Sequence, residues 1–425
     1  MRLFYLALSY VLAPFVVLII IWKGLRNRAY WDRVEERFGF GKSRTERRAI
    51  WIHAVSVGEV TAASAMVSGL LEAYPHLPVV MTTVTPTGAR RVADLFGDRV
   101  IHSYIPYDMP GAVVRFFDRF NPRLAVIMET ELWPNLYNEC GRRGVPLVLA
   151  NARVSPRSVY KYRRFVSLFS ETLSHGIVIA AQSRRDADRF RWIGAPPERT
   201  HVVGNIKFDL ELPHDLVQRG QQFRAEQLPG RPVWIAASTH EGEEDQVLEA
   251  HRLLRERLPD AVLILVPRHP ERFQAVASLL SRRRVSFVRR GSGETATPET
   301  EVFLGDTLGE LTLFYAAADA AFVGGSLLPV GGHNALEPAA LGLPIMTGPY
   351  TFNAEDIAEM LQEAGAAVPV DDSRGLADAA AALLSDPALR QERGDAGRRI
   401  VAENRGALQR LMGLLEPLLA EFPDR

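Results

Sequence analysis

Short apolar runs, each followed by enough residues for a helix, recur along this chain and constrain its fold more than any other feature. In the first half they are Ala49–Val55, Val79–Val84, Val100–Pro106, Leu124–Met128, Val145–Ala150 and Ile177–Ala181. Such continuous runs suit strands buried on both faces, and the spacers suit crossover helices, so the pattern predicts a parallel sheet in an α/β fold. The pattern pauses at Glu211–Arg231, a polar stretch holding Pro213, Pro229 and Gly230. It resumes with Val233–Ala237, Ala261–Val266, Val285–Val288, Glu301–Leu304, Ala320–Val323 and Pro344–Met346. A chain of 425 residues has room for two full cores. Two such units joined by a linker predict a ligand cleft between them, at the carboxyl ends of the strands. The expected organisation is a first unit over 49–210, a linker over 211–231, a second unit over 232–400 and a C-terminal helix over 401–425.

The start of the chain has a different composition. From Leu3 to Trp22 no residue is charged, which matches the roughly 20 apolar residues that span a bilayer. Residues 3–22 are therefore expected to form a transmembrane anchor, uncleaved because the small-residue cleavage site of a signal peptide is missing. The segment 23–48 carries nine Lys or Arg against four acids. A basic surplus beside an apolar run places the following chain on the cytoplasmic side and draws it to anionic lipid. Over the whole chain fifty acids balance fifty Lys and Arg, so no nucleic-acid partner is expected. A single cysteine, Cys140, excludes an intrachain disulfide framework and any multi-cysteine metal site.

The richest local signal is Ala320–Pro349. A short strand leads into Gly324-Gly325 and Gly331-Gly332, which remove side chains that would keep a ligand off the backbone. A helix start follows, a usual place for phosphate. Glu337 beside it could take both hydroxyls of a ribose, or could close a capping box with Asn334. Earlier in the same half, the strand ending at Val266 is followed by Pro267-Arg268-His269, where Arg268 suits either a phosphate or a surface ion pair. His269 could be a second phosphate donor, but as an isolated histidine it reads more simply as a structural residue.

The first half opens in the same way. The strand Trp51–Val55 runs into Ser56-Val57-Gly58-Glu59 and a helix expected over Val60–Tyr74. Glu59 at that corner could be a general base or an acid capping the helix. Asp186-Ala187-Asp188 lies among arginines and reads as surface ion pairs. No acid cluster has the character of a metal site, and no cofactor is expected.

Taken in order, HAVSVGE (His53–Glu59), TTVTPTG (Thr82–Gly88), ETELWPN (Glu129–Asn135), NARVS (Asn151–Ser155), GNIKFD (Gly204–Asp209), ASTHEGEE (Ala237–Glu244), PRHPERF (Pro267–Phe273), DTLGEL (Asp306–Leu311) and GGHNALEPA (Gly331–Ala339) resemble the Kdo transferases of lipopolysaccharide synthesis. The resemblance covers nearly the whole chain. It implies a GT-B glycosyltransferase fold, with two Rossmann-like domains, acceptor in the first and nucleotide in the second. It also implies inverting transfer of 3-deoxy-D-manno-octulosonate (Kdo) from CMP-Kdo to a lipid A precursor, lipid IVA, at the bacterial inner membrane. By the same resemblance Glu59 is the general base, and Glu129 and Lys207 stabilise the transition state. The CMP contacts fall on Pro267, Arg268, Leu308, Gly309, Glu310, Asn334, Ala335, Leu336 and Glu337. Position 308 is often Met in the family and is Leu here. A nucleoside monophosphate leaving group removes the need for a cation. The rival enzyme reading is a GT-B transferase using a UDP-sugar on another membrane lipid, and the non-enzyme rival is a tethered nucleotide-binding module.

Overall fold

The computed structural model describes residues 2–154, 156–163 and 176–420. Ser155 of the NARVS motif and the last five residues of the expected C-terminal helix lie outside that set. The chain divides into two compact units, one of Met1–Asp209 with Arg405–Arg425 and one of Leu210–Asn404.

In the first unit, β1 (Ala49–His53), β2 (Val79–Thr83), β3 (Ile101–Tyr104), β4 (Pro122–Met128), β5 (Leu147–Ala152), β6 (Ile177–Ala181) and β7 (Thr200–Val202) form one sheet in the order β3-β2-β1-β4-β5-β6-β7. Every pairing is parallel. β1 and β4 are buried at every position, which is why they appear in the sequence as unbroken apolar runs. The helix Pro110–Phe120 shows how one face is covered. Proline at its start suits a position with no hydrogen bond to give, and Val113, Phe116, Phe117 and Phe120 form its buried stripe. Asn121 then ends it in the left-handed region at φ 37°. The Trp51 ring of β1 packs 4.9 Å from Phe116 and 5.8 Å from Phe117, while its indole N–H donates to Thr82 Oγ1 at 2.9 Å. The other face is closed by the helix Val57–Ala73 and by the helix Ala407–Ala420, whose Leu411, Leu415 and Leu419 are buried in the same cluster. The C-terminal helix thus completes the first unit.

The second unit repeats the architecture with β8 (Val233–Thr239), β9 (Val262–Pro267), β10 (Phe287–Arg289), β11 (Val302–Leu304), β12 (Ala320–Val323), β13 (Ile345–Thr347) and β14 (Ala367–Pro369). Their order is β10-β11-β9-β8-β12-β13-β14, again parallel throughout. Residues 211–231 are more than a linker, because they carry the helix Leu216–Gln227, with Leu216 and Phe223 in the core. Gly220 makes this packing possible: a Cβ there would stand 2.5 Å from Ala316 Cβ. Arg224 fixes the helix through two bonds to Asp319, at 2.8 and 2.7 Å, and Asp319 also accepts the Val233 N–H at 2.8 Å.

Residues 3–22 lie in the helix Arg2–Arg26, where the side chains of 3, 4, 6–8, 10, 12, 13 and 16 are outside the described set. Among the described residues no helix is long and apolar enough to cross a membrane, so the expected span is not established by the fold. The basic segment 23–48 is partly woven into the first unit rather than free to meet lipid. Arg37 is buried, donates to the Val84 carbonyl at 2.8 Å and lies 4.2 Å from the Tyr104 ring. Arg33 is held against His102 at 2.7 Å. Its basic surplus is therefore shared between protein carbonyls and solvent.

Candidate active site

In a parallel sheet of this order the strands on either side of the reversal send their following loops to opposite faces, which opens a crevice at their carboxyl ends. In the first unit that point lies between β1 and β4; Glu59 follows β1 in the first turn of a helix, and Glu129 opens the loop after β4. Glu59 is the third residue of the helix Val57–Ala73, a helix that begins three residues earlier than the sequence suggested. Its Oε2 accepts the Val55 N–H at 2.8 Å and its Oε1 accepts the Ser56 hydroxyl at 3.3 Å. Capping and catalysis are thus not exclusive here, since each carboxylate oxygen has two acceptor positions. Burial pushes the Glu59 carboxyl up to about 7, against the Val55 bond, with Glu129 and Glu131 adding to the rise.

Glu129 stands at φ 56°, a left-handed conformation that side chains with a Cβ adopt at a cost. Its N–H donates to the Ala150 carbonyl at 2.8 Å, and its Oε1 lies 3.2 Å from Lys207 Nζ. Lys207 projects from the short turn Ile206–Phe208. The sequence reading missed Glu131. Burial raises its carboxyl, which accepts the Trp133 indole N–H at 2.9 Å. The Glu131 carbonyl accepts the Tyr137 hydroxyl, and the Thr130 hydroxyl donates to the Arg153 carbonyl, so the loop is pinned on both sides. The signal for Glu131 was a second acid two residues after Glu129 on a strand-end loop.

The corresponding reversal in the second unit lies between β8 and β12. Here the structure corrects the reading of the glycine-rich turn. The Glu243 carboxylate, fully buried, takes the N–H groups of Gly325 at 2.7 Å, Ser326 at 3.1 Å, Leu327 at 3.0 Å and His240 at 3.2 Å. An internal carboxylate therefore fills the backbone pocket that the glycines were expected to open to a ligand. A Cβ at Gly324 would stand 2.9 Å from Glu243 Oε2 and 2.7 Å from the Ser238 carbonyl, so the glycine serves close internal approach.

Near this loop three histidines gather. His240 and His333 stack at 5.0 Å with Nε2 atoms 2.7 Å apart, and His269 meets His240 edge-on at 5.4 Å. Burial holds His333 down at about 4, with Arg268 and His240 adding to the effect. His269 is thus one of a cluster rather than an isolated structural residue.

Pro267 ends β9, and the exposed Arg268 donates its N–H to the Thr239 carbonyl at 3.0 Å. Leu308 is 75% exposed and Gly309 sits at φ 81°. The Glu310 carboxylate is held below its usual range by Arg290, at 2.7 Å, and also accepts the Thr307 hydroxyl. The Glu310 carboxylate is thus already engaged within the protein. Asn334 Oδ1 accepts the Leu336 N–H at 3.1 Å, with Ala335 between them at the start of the helix Leu336–Leu341. Burial raises the Glu337 carboxyl, against a bond from Asn334 and the charge of Arg268. The expected capping box of Asn334 with Glu337 is not what forms: the N-cap is Ala335, and Asn334 takes the Leu336 N–H rather than the Glu337 N–H.

Comparison with known proteins fits this geometry. Residues 32–210 match the family model described as 3-Deoxy-D-manno-octulosonic-acid transferase (kdotransferase). The 3-deoxy-D-manno-octulosonic acid transferase of Haemophilus influenzae is 43% identical, over 98% of this chain and 99% of its own. The chain belongs to the Kdo transferase family. The Bordetella pertussis transferase of the same name is 38% identical over 96% of this chain and 97% of its own. A putative UDP-N-acetylglucosamine 2-epimerase from Listeria monocytogenes, 15% identical, aligns with a TM-score of 0.57 over 89% of this chain and 98% of its own, a likeness of fold alone. The transferase is thus an α/β glycosyltransferase with two units of GT-B type.

Within each unit of the transferase, the expected residues are brought together in part. Glu59, Glu129 and Lys207 converge in the first. In the second, Arg268 lies within electrostatic reach of Glu337 and the histidines, whereas Glu310 is engaged with Arg290. Asp186-Ala187-Asp188 is only half as expected. Asp188 pairs with Arg191 at the surface, at 2.9 Å. Asp186 also pairs with an arginine, Arg189 at 3.5 Å, but it is buried rather than at the surface and accepts the Val154 N–H at 3.0 Å and the Ser183 hydroxyl at 2.5 Å.

Proposed function

We propose that the transferase moves Kdo from CMP-Kdo to a sugar hydroxyl of the lipid A precursor lipid IVA, with inversion. The observation that carries this reading is the first-unit site, where Glu59 stands beside Glu129, Glu131 and Lys207 and burial pushes its carboxyl up to about 7. A base of that strength is charged for part of its time at neutral pH and still accepts a proton readily. As the acceptor oxygen forms its bond to the anomeric carbon of Kdo, the bond from that carbon to the CMP phosphate oxygen breaks. CMP leaves from the opposite face, and the hydroxyl proton passes to Glu59. Lys207 offsets negative charge on the donor, and Glu129 holds the ammonium in place. Pro267, Arg268, Leu308, Gly309, Glu310 and Asn334 through Glu337 bind CMP, with Arg268 on the phosphate and Glu337 on the ribose.

The test is transfer from CMP-Kdo, generated in situ, to tetra-acylated lipid A precursor in detergent, with products resolved by mass. A gain of one or more Kdo units is expected. No gain with CMP binding intact would point to another acceptor, and competition by UDP instead of CMP would favour a UDP-sugar donor. Glu337→Ala is expected to weaken CMP at least tenfold by calorimetry, because a half-buried carboxylate that takes two ribose hydroxyls is lost. Unchanged affinity would return Glu337 to helix capping alone.

We further propose that the helix Arg2–Arg26 holds the enzyme to the inner membrane from the cytoplasmic side. Phe15, Leu18, Ile19, Trp22 and Leu25 are all at least half exposed, an apolar surface that water does not favour, and Lys23, Arg26 and Arg28 follow it. A tethered enzyme meets a lipid-linked acceptor at raised effective concentration. After cell lysis the protein is expected to stay with membranes through 1 M salt and to leave only with detergent, salt at about that level cutting the Debye length to about 3 Å. Release by salt alone would reduce the contact to electrostatics.

A further inference from the structure

We infer that Asn151, Gln182 and Asn205 form a positioning network that sets Lys207 against Glu129, an inference that rests on the catalytic reading of that pair. Asn151 concentrates two local costs on one residue. It stands at φ 54° near the end of β5, where the β5–β6 register shifts, and its fully buried Nδ2 has no partner among the described residues. A residue that breaks local rules in this way needs a compensating task. The task is visible in what its other groups hold. Asn151 Oδ1 accepts the Ile206 N–H at 3.1 Å, fixing the turn that carries Lys207. The Asn151 carbonyl accepts Gln182 Nε2 at 2.9 Å, and Gln182 Oε1 accepts Asn205 Nδ2 at 3.1 Å. Asn205 Oδ1 then accepts the Lys207 N–H at 3.0 Å.

The path closes on itself. Lys207 Nζ reaches Glu129 at 3.2 Å, and the Glu129 N–H returns to the Ala150 carbonyl at 2.8 Å, next to Asn151. Both members of the charged pair are therefore referenced to one point, the end of β5. This matters because each is poorly constrained alone. Lysine has a flexible stem and Glu129 sits on a loop, so without the amides the ammonium would sample positions that a donor anion could not use. The three amides touch no reacting atom in this scheme. They act through Lys207, and the motif halves Asn151-Ala152-Arg153 and Asn205-Ile206-Lys207 are joined in space by Gln182, which neither motif contains.

The experiment is a double-mutant cycle on the full-length enzyme. Asn205→Ala and Asn151→Gly would each be made alone and together with Lys207→Ala. Glycine tolerates the backbone of position 151, so that variant removes the side chain without strain. Each single variant is expected to lower kcat about 10- to 100-fold with KM for both substrates nearly unchanged, the scale of a misplaced catalytic group. In the Lys207→Ala background the same substitutions should cost less than about twofold, because they act through the residue already removed. Equal losses in both backgrounds would overturn the inference and leave a structural role. So would an unchanged kcat in both single variants. Absence of Kdo transfer by the unsubstituted enzyme would count instead against the proposed reaction.

Discussion

Glu59→Gln is expected to lower Kdo transfer by about 10²–10⁴-fold, the usual loss when a positioned base is removed. Glutamine keeps an oxygen for the Val55 N–H, so the start of the helix Val57–Ala73 stays closed and the thermal transition should hardly move. CMP affinity should also be unchanged, since CMP binding is assigned to the second unit. Near-normal turnover in the purified variant would sink the assignment and leave Glu59 as a cap. The native enzyme provides a second check. Because burial places the Glu59 carboxyl at about 7, the base is protonated and idle below that pH and free above it. The plot of kcat/KM against pH should therefore rise through an acidic limb that bends near 7, well above the ordinary glutamate range. A limb that bends near 4.5 would mean that a solvated carboxylate does the work.

Both the candidacy and the ambiguity of Glu59 were legible in the sequence. An acid just after a buried strand can only fall at the carboxyl rim of a parallel sheet, and the topology puts β1 beside the reversal point. The sheets were legible for the same reason, because strands covered on both faces leave continuous apolar runs. The two strands that escaped notice, β7 and β14, are three-residue edge strands, only partly buried, and so leave no such run. The helix Leu216–Gln227 was hidden differently. Its core contacts are few and set among Gln, Arg and Glu, and Gly220 reads as a breaker although it is there to let the helix Leu311–Ala317 come close. Glu131 and the amide network depend on which loops meet in space. Gln182, for instance, bonds to residues 31 and 23 positions away. Periodicity carries no record of such meetings.

Glu243 is the extreme case, and its removal should give the largest loss of stability in the second unit. Its partners Gly325, Ser326 and Leu327 lie 82 to 84 residues further along the chain, so in the sequence it is one acid among several at a helix start. In the fold it takes four backbone N–H groups, three of them buried away from water. Alanine at 243 would leave those donors without an acceptor, and each buried donor so orphaned costs about 1–3 kcal/mol. A total of several kcal/mol is a large part of what holds a domain of this size, so Glu243→Ala is expected to lower the unfolding transition by about 10 °C or more, at about 2–4 °C for each kcal/mol. Glutamine is not a conservative replacement here. Its amide would turn an NH₂ toward N–H groups that need an acceptor, so Glu243→Gln should recover little. Aspartate would fall short of the loop by one methylene. Thermal unfolding of these variants followed by calorimetry is the check, and a Glu243→Gln protein as stable as the native one would mean that fewer than four of these bonds matter. The loop so held carries the start of the Gly324–Glu337 segment. CMP affinity should therefore fall in step with stability for Glu243 variants, whereas for Glu337→Ala it should fall with stability largely retained.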